Sequence, residues 1–136
     1  MTPLPIERWH EIVKTRDIRA LDELLADAVT FQSPVVHTPQ VGKVITGKYL
    51  AAAMHVLNNT TFKYRNEWYG KSSAVLEFQC TLEDAGNAIE VNGVDIIEWD
   101  ADGRISNFKV MVRPLKAMNT LHALMGRTLQ PAPAKQ

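Results

Sequence analysis

The chain of 136 residues contains a single cysteine, Cys80. One thiol cannot close an internal disulfide, so the fold must rest on packing, and a reducing, cytoplasmic location is the expectation. An excess of either charge is also missing: fifteen Lys and Arg balance fifteen Asp and Glu. No basic run stands out, which removes the electrostatic footprint of a nucleic-acid partner. Long apolar runs are absent too. The longest, Tyr49 to Met54, falls far short of the roughly 20 residues that cross a bilayer, so no membrane association is expected. The opening MTPLPIERWHEIV carries acidic residues and no apolar core, and does not read as a signal peptide. There is no HExxH pair and no Cys/His cluster, so neither a metal nor another cofactor is expected. The G-x-S-x-G nucleophile elbow is absent, and Gly42-Lys43 and Gly47-Lys48 lack the spacing of a phosphate loop.

What is present is the composition of one globular domain, with 46% hydrophobic and 22% charged residues. The domain is read as residues 1–128, followed by a disordered tail over 129–136 that includes QPAPAKQ. The first half is helical in pattern. Ile6, Trp9, Ile12 and Val13 follow helical spacing, and Asp17 suits the N-cap of a second helix with Ile18, Leu21, Leu24 and Leu25 inward. A short strand over 29–32 and a loop over 35–42 follow. A third helix over 47–57 is expected, capped by Thr46, with Tyr49, Leu50, Ala53, Met54 and Leu57 on its inner face. The second half alternates over 62–69, 73–82, 89–99 and 104–113, with Asp100-Ala101-Asp102-Gly103 as a hairpin turn. Pro114 opens a last helix that Gly126 is expected to end. Helices first and a meander after predict an α+β domain.

One residue breaks the alternation. Val91, Gly93, Asp95, Ile97 and Trp99 share the more apolar face of their strand. A carboxylate there costs several kcal/mol unless it is paired, hydrogen-bonded or protonated. Asp95 is therefore the main candidate for a functional group. His37, in the loop after Pro34, is the candidate base, because an imidazole titrates near neutrality. His10, His55 and His122 lie on helices without partners at ligand spacing. Cys80, among Leu76, Phe78 and Leu82, reads as an inert buried thiol.

Two blocks together resemble the nuclear-transport-factor-two-like superfamily, whose nearest branches are the ketosteroid isomerases and the SnoaL-like polyketide cyclases. The first runs from Arg16-Asp17 through Phe31-Gln32-Ser33-Pro34-Val35-Val36 to Gly42. The second is Val94-Asp95-Ile96-Ile97-Glu98-Trp99-Asp100-Ala101-Asp102-Gly103-Arg104-Ile105. The resemblance covers about residues 5 to 125. It implies a curved mixed sheet wrapped in a cone around three N-terminal helices, with an additional C-terminal helix and an apolar pocket. It also implies a homodimer through the outer sheet face, which Val94, Ile96 and Met111 would make apolar.

Asp95 falls where the ketosteroid isomerases place a protonated aspartate that holds the substrate oxyanion. Ser33 stands where they place the general base, and Trp9 where they place a tyrosine. A serine is a poor proton acceptor at neutral pH, and an indole N–H only donates. Steroid isomerisation by that route is not expected. The expected pocket is lined by Trp9, Phe31, Ser33, Tyr49, Leu76, Phe78, Asp95, Ile97, Phe108, Val110 and Val112. It suits a small, mostly apolar molecule with one carbonyl or hydroxyl. Two classes stay open: an isomerase, cyclase or hydratase using Asp95 and His37, and a non-catalytic binding domain.

Overall fold

A computed structural model of the chain describes residues 1–129. The helix α1 (Leu4–Thr15) buries Pro5, Ile6, Trp9 and Ile12 and ends where Arg16 turns left-handed, at φ 59°. Asp17 then caps α2 (Ile18–Leu24), its carboxylate accepting from the Ala20 N–H at 3.1 Å. Leu21 and Leu24 face inward while Ile18 is exposed. The chain passes without a loop into β1 (Leu25–Gln32), four residues earlier than the expected strand. A two-residue strand, β2 (Gln40–Val41), pairs back onto β1 inside the expected loop.

The third helix, α3 (Lys43–Leu57), begins earlier than expected because Gly42, at φ 109°, supplies the turn that starts it. Thr46 is therefore not a cap. It sits inside the helix, fully buried, and among the described residues its hydroxyl has no hydrogen-bond partner. The strands β3 (Lys63–Tyr69), β4 (Ser73–Asp84), β5 (Asn87–Trp99) and β6 (Ile105–Arg113) follow as a meander. The last helix, α4 (Leu115–Leu129), runs straight through Gly126. A glycine inside a helix costs about 1 kcal/mol, which does not by itself stop the helix. Leu129, placed by the sequence in the tail, thus belongs to α4, and residues 130–136 lie outside the described residues.

The six strands form one sheet in the order β2-β1-β6-β5-β4-β3. Among the described residues only the β1–β6 pair is parallel, which makes the sheet mixed. Two core clusters fill the side covered by helices. One gathers Ile6, Trp9, Ile12, Leu21, Phe31, Leu50, Leu76, Ile97 and Phe108. The other gathers Leu57, Phe78, Cys80, Leu82, Val91, Ala117 and Leu121. This is the α+β cone that the two sequence blocks imply. Among the described residues, no helix is long and apolar enough to cross a membrane.

Candidate functional site

Between the two clusters lies a cavity of about 410 Å³. Its walls come from every layer of the cone. Trp9 and Val13 reach it from α1, and Tyr49, Leu50, Ala53, Met54 and Leu57 from α3. Phe78, Asp95, Phe108 and Val110 rise from the sheet, and Leu121, His122, Met125, Gly126 and Leu129 close it from α4. The rings are interlocked. Trp9 meets Phe108 edge-on at 4.9 Å between centroids, Phe62 stacks on Phe78 at 5.5 Å, and Phe31 lies against Tyr49 at 5.5 Å. Edge-to-face and offset contacts are the arrangements aromatic rings favour.

Asp95 stands at mid-strand in β5, beside Leu76 of β4 and Val110 of β6. It is 6% exposed. The sheet register turns its carboxyl onto the concave face, as the alternation of β5 requires. One oxygen, Oδ2, accepts the Tyr64 O–H at 2.7 Å. The Tyr64 oxygen in turn accepts the Trp9 indole N–H at 2.8 Å. No Lys or Arg lines the cavity among the described residues. Burial pushes the Asp95 carboxyl up to about 7, against the pull of the Tyr64 hydrogen bond. Burial, and next the Asp95 charge, holds the Tyr64 phenol well above the usual tyrosine range.

The expected lining residues divide. Trp9, Phe31, Ser33, Tyr49, Phe78, Asp95, Phe108 and Val110 do line the cavity. Leu76 and Ile97 are sealed in the first core cluster, and Val112 packs against the second. They share the concave sheet face with the wall but are not part of the lining. Ser33 accepts the Val35 N–H on its hydroxyl at 3.1 Å, the geometry of a turn residue. His37 is exposed and stands outside the lining, although Pro34, Val35 and Val36 beside it belong to the wall. The chain turns outward at that point, so His37 is not brought to Asp95. The histidine that does reach the cavity is His122, from α4. Among the described residues no group of His, Cys, Asp and Glu is placed to hold a metal. Cys80 is buried, and burial pushes its thiol up to about 11.

Sequence reading missed Tyr64. Strand alternation puts Tyr64 on one face with Asn66 and Trp68, but the β3–β4 register shifts between Tyr64 and Asn66. That bulge separates them. Tyr64 pairs with Phe78 and faces the cavity, while Trp68 pairs with Val75 and is 55% exposed on the other side. The one available signal was the buried acid itself, which needs a donor.

Comparison with known proteins places these residues in context. A SnoaL-like domain model matches residues 6–108. A steroid delta-isomerase structure from Pseudomonas aeruginosa is 33% identical, with a TM-score of 0.84 over 92% of this chain and 88% of that one. An uncharacterised bacterial protein with a cystatin-like fold from Silicibacter pomeroyi is 28% identical, with a TM-score of 0.81 over 91% and 84%. A candidate SnoaL-like polyketide cyclase from Jannaschia sp. shares the fold at 12% identity, with a TM-score of 0.71 over 90% and 96%. No curated protein sequence matches. With a family model spanning well over half its length, and the cone and its concave face in place, the chain belongs to the SnoaL-like domain family.

Proposed function

We propose that the cavity is a ligand pocket for a small, mostly apolar metabolite carrying one carbonyl or hydroxyl group. Asp95 would exchange a hydrogen bond or a proton with that group. The observation that carries this reading is a carboxyl 6% exposed among aromatic rings, tied to the protein through one oxygen only. Perturbed acids of this kind cluster at sites, and the cavity volume lies in the range of small-molecule pockets. A carboxyl titrating near neutrality is suited to proton transfer, which keeps an isomerase, cyclase or hydratase role open. The second reading is binding without turnover. It is favoured by the exposed position of His37, which takes the candidate base out of the lining, and by the serine at position 33, a poor proton acceptor. The single, buried thiol supports a cytoplasmic setting for either role.

The test is a fluorescence titration with bicyclic and tricyclic alcohols and ketones, since Trp9 is part of the wall. Quenching with a rise in melting temperature is expected in the wild type, and neither in Ala53→Trp, whose indole occupies the cavity. No response to any compound in the wild type would remove the pocket reading. A parallel assay offers a Δ5-3-ketosteroid. No efficient conversion is expected, because a missing general base forfeits about a hundredfold or more. Turnover abolished by Ser33→Ala would reverse that expectation.

A further inference from the structure

The hydrogen-bond chain across the cavity floor has a direction. An indole N–H can only donate, so the Trp9–Tyr64 contact at 2.8 Å makes the phenol oxygen an acceptor. Tyr64 has one proton, and among the described residues its only acceptor is Asp95 Oδ2, at 2.7 Å. Donation therefore runs from Trp9 to Tyr64 to Asp95. A proton on Oδ2 would displace the Tyr64 proton from its only acceptor, so Oδ2 is held as an acceptor. Oδ1 receives no hydrogen bond from the described residues, and Asp95 is part of the cavity wall. The other polar groups of the wall do not supply what Oδ1 lacks. Asn58 donates to the Val13 carbonyl, Ser33 accepts the Val35 N–H, and among the described residues Asp95 receives no hydrogen bond but the one from Tyr64. Among the described residues no Lys or Arg lines the wall to neutralise a carboxylate, and His122 on α4 makes no ion pair with Asp95.

We propose that the ligand presents a hydrogen-bond donor, an O–H or N–H group on an apolar body, to Oδ1 of the ionised Asp95, and that the pocket in this state selects such a donor over a carbonyl of the same shape. This rests on the pocket reading above and decides between the two polar groups it leaves open. The chain Trp9→Tyr64→Asp95 already commits one carboxylate oxygen to accepting. A second donor from the ligand completes the solvation of a buried charge that the protein leaves half satisfied. The other titratable groups on the wall are Tyr49 of α3, Tyr64 of β3 and His122 of α4.

Three probes of one shape test it: trans-decahydro-2-naphthol, trans-2-decalone and trans-decahydro-2-naphthylamine, titrated calorimetrically. The buffer is held at about pH 8.5, where a carboxyl titrating near neutrality is ionised. The alcohol or the amine should bind at least about tenfold more tightly than the ketone, one hydrogen bond to a charged group being worth that much or more. A tighter amine identifies a cationic donor, and a tighter alcohol a neutral one. Asp95→Asn should reverse the preference. Its amide oxygen remains the acceptor for Tyr64, so the amide N–H groups face the cavity and favour the ketone. A ketone that binds the wild type as tightly as both donors overturns the proposal and leaves the pocket standing. Failure of all three to bind removes the pocket reading and this inference with it.

Discussion

A lone carboxyl among rings makes folding depend on pH in a definite direction. Asp95 titrates near 7 in the folded chain, well above its ordinary value of 3.8. The folded state thus holds this proton more tightly than the unfolded state. The contribution of Asp95 is most favourable below about pH 4, is lost as pH rises to about 7, and is constant above that. About three units correspond to as much as about 4 kcal/mol. Asp95→Asn keeps an acceptor for Tyr64 but cannot ionise. Its melting temperature should gain on the wild type steadily between about pH 4 and pH 7, the window that the raised titration opens. Parallel pH profiles for the two proteins would show that Asp95 ionises without resistance. This residue was legible because a charge on an apolar strand face is a local anomaly. Tyr64 was not. Its partners Trp9 and Asp95 lie 55 and 31 positions away, and the bulge that aims it leaves no mark in the alternation of β3.

Elements were legible where their pattern is periodic and less so at their ends. The face of β5 could be read off directly, while the start of α3 was shifted by Gly42 and the end of α4 did not obey Gly126. Inside β5, Gly93 makes a separate demand. A Cβ at that position would stand 2.5 Å from the Phe78 Cζ and 2.6 Å from the Met111 carbonyl oxygen. The ring could swing, at the expense of the cavity it lines, but the backbone oxygen of β6 cannot. Gly93→Ala should therefore destabilise the fold by about 1–3 kcal/mol, the usual range for overpacking a tight site. The denaturant midpoint measures it, and an unchanged midpoint would mean the β4–β5–β6 stack has slack that its register does not suggest.

At the scale of the whole molecule, the cone became readable only through resemblance. Local patterning predicts helices and a meander, but nothing in it announces the parallel pairing of β1 with β6, whose partners are far apart in sequence. The outer sheet face raises its own question. Trp68, Val75 and Ile96 lie in one cross-strand row and Val94 and Met111 in the next, with Trp68 and Met111 more than half exposed. We propose that a second copy of the chain covers this face, as exposed apolar groups on a sheet suggest. Sedimentation equilibrium at tens of micromolar, a working range for an interface of about 1,600 Å², should show a dimer that Ile96→Lys dissociates. A wild type that stays monomeric would end that proposal. The cavity under α4 also bears on how the molecule answers pressure. Hydrostatic pressure favours whichever state occupies less volume, and unfolding collapses the internal space a native chain keeps. Wherever the roughly 410 Å³ between β5 and α4 stays dry, its loss on unfolding adds to the volume change that pressure exploits. A molecule that packs against those rings would stiffen the cone, so the same occupant that protects against heat would also raise the pressure at which the chain gives way.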